Sequence, residues 1–230
     1  MLRPSASKSK ENYVDKSNVL ARIEEVGILP VLRADSVQSA LDLSDAIVAG
    51  GINAMEVTLT VPGAIDVIRT LSEKYGDKVL VGAGSVLDPE TARIAILAGA
   101  QFIVSPVLNV KTIELSLRYG IAVCSGALTP TEIITAWQAG SDIVKVFPCS
   151  AVGGASYLKG VKAPMPQLRL IPTGGVSQST AESFLKAGAF ALGVGGDLVN
   201  AKAKTREEFA EITTNAKKYL EIVQNYRNSK

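Results

Sequence analysis

Residues 91–105 read TARIAILAGAQFIVS, and this stretch decides the fold. Its first half has a helical period and stops at Gly99, the residue type that most often follows a helix end. Its second half, residues 100–105, is a short and nearly unbroken apolar run. That composition suits a strand buried on both faces of a parallel sheet. The phrase recurs along the chain. Gly27 precedes ILPVL, Gly50 and Gly51 precede INAMEV, and Gly76 precedes the segment leading to VLVGAG. Gly120 precedes IAVCS, Gly140 precedes SDIVKVF, and Gly188 precedes AFALGVG. From Gly27 to Gly140 the intervals are 23, 26, 23, 21 and 20 residues, and the last interval, 48, holds two units. The unmarked unit ends near Pro164–Gln167, ahead of LRLIP.

Helices alternating with buried parallel strands mean βαβ units with right-handed crossovers. Eight strands are expected, at about 28–32, 54–58, 79–82, 102–105, 121–124, 143–147, 169–172 and 191–194. Eight βα units in about 200 residues fit an α/β single-domain (β/α)8 TIM barrel. A doubly wound open sheet is the rival. It would carry G-x-G-x-x-G after its first strand, where this chain has Arg33-Ala34-Asp35-Ser36. An extra N-terminal helix is expected at 17–26 and a closing helix at 205–226. Residues 1–17 lack the apolar stretch of a secretory signal and read as an unfolded extension, leaving 18–230 as the barrel domain.

Composition narrows the chemistry. The 230 residues contain no histidine and two cysteines. That excludes a Ser-His-Asp triad, a Cys-His pair, a histidine base and the usual four-ligand zinc site. Acid–base work falls to carboxylates, lysine, tyrosine or water. A net charge of +2 makes no field for nucleic acid, and no apolar stretch is long enough to span a membrane. Two free thiols suit a cytosolic location. Cys124 and Cys149 have no base partner and read as small buried fillers. Trp137 reads as helix packing or a subunit contact, and the charged C-terminal helix as a solvated face.

In a barrel of this kind the reactive residues stand at the C-terminal ends of the strands. Lys145 lies mid-strand in Asp142-Ile-Val-Lys-Val-Phe-Pro148, on the same face as Ile143 and Phe147. Burial disfavours an ammonium and frees the amine to attack a carbonyl. The alternative is a lysine that reaches solvent or pairs for structural reasons. Glu56 is a second charge inside an apolar strand, suited to proton transfer or to a buried ion pair with Lys145 or Arg33. Together the two supply what imine chemistry needs, a nucleophilic amine and a general acid–base. Glycine-rich turns are expected at Gly82-Ala-Gly-Ser85, Pro172-Thr-Gly-Gly-Val176 and Gly193-Val-Gly-Gly196. The last two follow strands 7 and 8, where backbone N–H groups commonly receive an anion, although short βα loops use glycine for backbone reasons too.

The chain resembles the pyruvate-dependent class I aldolases of the 2-keto-3-deoxy-6-phosphogluconate (KDPG) and 4-hydroxy-2-oxoglutarate family over about residues 18–225. Seven segments in order carry the resemblance: Pro30-Val-Leu-Arg-Ala-Asp35, Met55-Glu-Val-Thr-Leu59, Val81-Gly-Ala-Gly-Ser-Val86, Phe102-Ile-Val-Ser-Pro106, Leu128-Thr-Pro-Thr-Glu132, Val144-Lys-Val-Phe-Pro148 and Ile171-Pro-Thr-Gly-Gly-Val176. It implies a Schiff-base role for Lys145 and an acid–base role for Glu56. Arg33 and Ser85 would hold the pyruvyl carboxylate, with Thr58 and Thr60 on the same strand end as Glu56. Pro106 and Phe147 would wall the pyruvyl pocket, and Thr173 would contact the sugar-derived part. The amides of Gly174, Gly175, Gly195 and Gly196 would receive a phosphate. The resemblance also implies a small-molecule substrate, no metal or cofactor, and a homotrimer.

Relatives often carry arginine at position 60; others, like this chain, have threonine there and arginine at position 33. Gly196 stands where relatives usually have serine, and Asp197 follows it. Loss of a hydroxyl beside a new carboxylate is expected to weaken phosphate binding. The rivals are a 6-phosphogalactonate aldolase, a sugar-phosphate isomerase or epimerase using Glu56 as its base, and a binding barrel without turnover.

Overall fold

A computed structural model describes residues 15–229; of the expected extension, residues 1–14 lie outside it. Eight parallel strands run in chain order: β1 (Ile28–Leu32), β2 (Ala54–Thr58), β3 (Leu80–Gly84), β4 (Phe102–Val104), β5 (Ala122–Ala127), β6 (Ile143–Val146), β7 (Leu170–Pro172) and β8 (Leu192–Val194). Helices α1 (Lys16–Val26), α2 (Val37–Ala49), α3 (Ala64–Tyr75), α4 (Pro89–Leu97), α5 (Val110–Arg118), α6 (Pro130–Gln138), α7 (Ala155–Lys162), α8 (Ala181–Lys186) and α9 (Arg206–Asn228) surround them. Neighbours in the sheet follow chain order from β7 back to β1, and β1 then pairs with β8. A parallel bridge between Thr173 and Gly193 joins β7 to β8, so the sheet closes into a (β/α)8 barrel.

Every residue of every strand is buried, the pattern of strands covered by helices outside and by side chains within. Glycines mark the helix ends. Gly27 ends α1 in the left-handed conformation and returns its N–H to the Ile23 carbonyl. The helices begin on side-chain caps. Thr129 and Glu132 form a reciprocal capping box on α6, with Pro130 at its first position, and Thr205 and Glu208 do the same on α9.

Helix α1 packs against β1, β2 and β5 at the N-terminal end of the barrel. It starts on Asp15, whose carboxylate accepts the Ser17 N–H, so residues 15–17 belong to the folded domain. Lys16 reaches Asp142 at 2.8 Å. Long α9 lies against α2 and α8, and Arg227 near its end donates to the carbonyls of Glu24 and Glu25 at the end of α1.

One expected turn proves to be strand, and one strand runs past its expected end. Gly82-Ala83-Gly84 is part of β3, and Ser125-Gly126-Ala127 extends β5. The reason is interior volume. A Cβ on Gly82 would stand 2.3 Å from the Phe102 ring, and one on Gly126 2.2 Å from the Pro106 carbonyl carbon. These glycines are extended residues with no room for a side chain, not breaks in the strand. By contrast, β4 and β6 each end one residue sooner than expected, before Ser105 and Phe147.

Candidate active site

Glu56 on β2 and Lys145 on β6 stand four strands apart around the ring and meet inside it. Lys145 Nζ donates to Glu56 Oε1 at 3.1 Å, and the two side chains are only 8% and 1% exposed. The two therefore form a buried ion pair inside the barrel. Removal of two charges from water is costly, and good geometry with full hydrogen bonding is needed to offset it. Here the bonding is incomplete. Glu56 Oε2 is buried with no hydrogen-bond partner. The Lys145 ammonium also lies 5.6 Å from the centre of the Phe147 ring, which walls it on the β6 side.

A cavity of about 250 Å3 opens at the C-terminal ends of β1, β6, β7 and β8. Arg33, Phe147, Thr173, Gly174, Gly175, Gly195 and Gly196 all line it, as seven of the expected site residues. Gly174 and Gly175 both have positive φ, 89° and 77°, a backbone course that side-chain-bearing residues rarely adopt. Thr173 Oγ1 is buried without a hydrogen-bond partner and packs against Gly193. Arg33 reaches toward the glycines: its Nη1 is 3.7 Å from where a Gly195 Cβ would be. Its guanidinium therefore faces the glycine half of the mouth, next to the Gly195 backbone.

Ser85, Pro106, Thr58 and Thr60 are not in that lining, nor are Lys145 and Glu56; Ser85 follows β3, Pro106 follows β4, and Thr58 and Thr60 stand at the end of β2. Ser85 follows β3 with φ of 58°, the sole non-glycine residue with positive φ among the described residues. Left-handed serine is uncommon, and such strain is characteristic of ligand sites. Thr58 Oγ1 donates to the Leu32 carbonyl and lies 2.9 Å from Thr60 Oγ1. The Thr58 hydroxyl thus ties the ends of β1 and β2 together, while exposed Thr60 is the member of the pair nearer solvent.

Val31, Val176, Gly193 and Asp197 also line the cavity; Val176 and Gly193 belong to the glycine-rich turns read in the sequence, whereas Val31 was given no role. The close packing at Gly193 shows only in three dimensions, since a Cβ there would lie 2.1 Å from Thr173 Oγ1. Asp197 differs from expectation in its bonding. Its Oδ1 accepts the Gln178 N–H from the β7–α8 loop and the hydroxyl of buried Tyr219 on α9. One carboxylate oxygen is thereby spent on tying the β8–α9 loop to the β7–α8 loop and to α9. Burial, then the hydrogen bond and charge of Asp197, push the Tyr219 hydroxyl well above the usual tyrosine range. Both cysteines are buried. Desolvation pushes Cys124 far above the ordinary thiol range and Cys149 up to about 11, so neither supplies a thiolate near neutral pH.

Comparison with known proteins places this geometry in context. A family model described as "Aldolase: KDPG and KHG aldolase" matches residues 19–215. The chain is 33% identical over 206 residues to 2-dehydro-3-deoxy-phosphogluconate aldolase of Treponema pallidum, covering 89% of this chain and 97% of that one. It is 34% identical over 198 residues to 2-dehydro-3-deoxy-6-phosphogalactonate aldolase of Escherichia coli K12, covering 86% and 96%. A solved structure of the KDPG aldolase from Legionella pneumophila, with pyruvate captured as a covalent carbinolamine, superposes with a TM-score of 0.80 at 29% identity, over 86% of this chain and 96% of that one. Shared sequence along almost the full length of these enzymes, on a barrel that closes around a buried amine, shows that this chain belongs to the KDPG and KHG aldolase family.

Proposed function

We propose that this carbon–carbon lyase cleaves a 2-keto-3-deoxy-6-phospho sugar acid, or 4-hydroxy-2-oxoglutarate, to pyruvate and an aldehyde through an imine on Lys145. The observation that carries the reading is the buried Lys145–Glu56 pair, 3.1 Å apart, with one carboxylate oxygen unpartnered.

Glu56 takes a proton from the Lys145 ammonium, and the free amine adds to the substrate C2 carbonyl. The carboxylic acid so formed protonates the carbinolamine hydroxyl, which leaves as water and gives an iminium. Glu56, again a carboxylate, accepts the C4 hydroxyl proton as the C3–C4 bond breaks. The bonding electrons pass into the iminium, which becomes an enamine, and the aldehyde departs. Glu56 returns its proton to C3, and water hydrolyses the new iminium to pyruvate and Lys145.

Arg33 and the Ser85 hydroxyl hold the substrate carboxylate, with Thr58 and Thr60 closing the β2 side. Arg33 also borders the glycine cavity, which supports a second contact with the distal anion of a phosphorylated substrate. Pro106 and Phe147 wall the pyruvyl methyl. The unpartnered Thr173 hydroxyl bonds a hydroxyl of the sugar-derived part. The amides of Gly174, Gly175, Gly195 and Gly196 receive the distal phosphate. Gluconate and galactonate configurations differ at one centre in this region, and relatives of both kinds are about equally similar in sequence.

The assembly proposed is a homotrimer. Leu87, Ile94, Leu97, Val107 and Val110 are exposed apolar residues on α4, α5 and the loops before them, the makings of a subunit contact. Sedimentation of the parent chain as a trimer, and of a Leu97→Asp chain as a monomer, is the expected result. The chemistry is tested by borohydride reduction with pyruvate present. A pyruvyl adduct on Lys145 by mass spectrometry is expected. Its absence, or full activity in a Lys145→Arg chain, refutes the imine route.

A further inference from the structure

The Glu56 carboxylate is held by a hydrogen bond at one oxygen only. Oε1 accepts from Lys145, while Oε2 is buried and unpartnered. What lies against that free end is the backbone of Gly84, the last residue of β3. A Cβ built on Gly84 would stand 3.0 Å from both Cδ and Oε2 of Glu56 and 3.3 Å from its Cγ. Gly84 is not among the glycines with positive φ, so its backbone conformation is open to any residue. It is paired in regular register with Thr58 of β2, so it is extended strand backbone and makes no turn of its own. The reason for glycine at this position is therefore space, and the group that uses the space is the carboxylate.

Gly82, two residues earlier on the same face, makes the contrast. Its missing side chain is replaced by the Phe102 ring, whose nearest atoms lie 2.3–2.5 Å from the Cβ position. Gly82 serves the core; nothing titratable fills its place.

We propose that Gly84 is a positioning residue of the reaction: the absence of its side chain is what leaves the Glu56 carboxylate room to stand within hydrogen-bonding reach of Lys145. The proposal rests on the proton-shuttle role given to Glu56 above. A methyl at position 84 meets the far end of a flexible side chain rather than rigid backbone, so the chain folds and the carboxylate yields. Proton transfer requires heavy-atom separations of about 2.6–3.2 Å. The present 3.1 Å leaves little slack. Misplacement by about 1 Å is enough to cost about a hundredfold in rate.

The test uses Gly84→Ala and reads two steps separately. The expected result is that pyruvate still forms a borohydride-trapped adduct on Lys145, while exchange of the pyruvate methyl protons in deuterated water slows by roughly 10–100-fold. In a Glu56→Asp background the shorter side chain clears the added methyl, so Gly84→Ala is expected to change exchange by less than about threefold there. Exchange in Gly84→Ala within about threefold of the parent, or equal losses in both backgrounds, overturns the proposal. If the Gly84→Ala chain does not fold, restoration by Glu56→Asp locates the clash at that carboxylate and supports it, and failure of restoration overturns it. Absence of any adduct in the parent enzyme refutes the lysine reading and this proposal with it. An adduct in the parent beside unchanged exchange in Gly84→Ala refutes the role of Gly84 alone.

Discussion

Two lysine–carboxylate pairs bracket β6, one at each end of the barrel, and they are built differently. At the N-terminal end Lys16 meets Asp142 at 2.8 Å, with side chains 34% and 11% exposed. The second oxygen of Asp142 accepts the Val123 N–H, so both oxygens are used. Three residues along the chain, Lys145 meets Glu56 in the interior, and one carboxylate oxygen has no partner. The satisfied pair fastens α1 to the base of the barrel. The unsatisfied pair keeps bonding capacity that a water or a ligand can fill. Incomplete bonding in a buried site is costly and is retained where function uses it.

The largest effect expected from breaking this contrast is at Lys145. Lys145→Met is expected to lower pyruvate release on the order of 10^4-fold or more and to remove the trapped adduct. It also strands the Glu56 carboxylate in the interior, a loss of about 3–5 kcal/mol by urea unfolding. Lys145→Met combined with Glu56→Gln is expected to recover that stability with no recovery of turnover, because a neutral interior no longer needs the pair. A double variant as unstable as the single would mean that the pair stabilises the fold in its own right.

Glu56→Gln alone comes next. Turnover is expected to fall about 10²–10⁴-fold, the usual contribution of a positioned acid–base group, while borohydride still traps pyruvate on Lys145. The smallest effect is at the other end. Lys16→Ala is expected to cost at most about 1 kcal/mol, as for other half-exposed pairs, with turnover unchanged. A change in turnover on Lys16→Ala would erase the distinction between the two pairs.

Much of this was legible in the chain itself. The glycine rhythm marks seven of the eight units because a helix that turns back into a buried strand favours a left-handed residue at its end. Lys145 and Glu56 were visible as charges in apolar runs, but whether Glu56 would pair with Lys145 or Arg33 was open until the barrel set β2 and β6 across from each other. The glycines inside strands misled for the opposite reason. Gly82, Gly84 and Gly126 look like turn residues, yet each is extended and gives its place to a ring, a carboxylate or a backbone. That information lies in the partner, tens of residues away in sequence. Asp197 is similar. Its charge was apparent, but its bond to Tyr219, 22 residues on, depends on how α9 lies across the barrel. The left-handed turn at Ser85 was equally hidden, since serine gives no local sign of it.

Arg227 donates to the carbonyls of Glu24 and Glu25, so the helix after the last strand finishes the helix before the first. With β1 seated between β8 and β2, the ring has no intrinsic beginning. The position of the chain break is a matter of covalent connectivity rather than of packing. A circular permutant, with the two ends linked and the backbone reopened in the exposed Gly76–Lys78 turn on the face away from the lysine, keeps every contact that defines the barrel. Its catalytic pair would then be assembled from strands whose order in the polypeptide is reversed, β6 ahead of β2, with the same distance between amine and carboxylate.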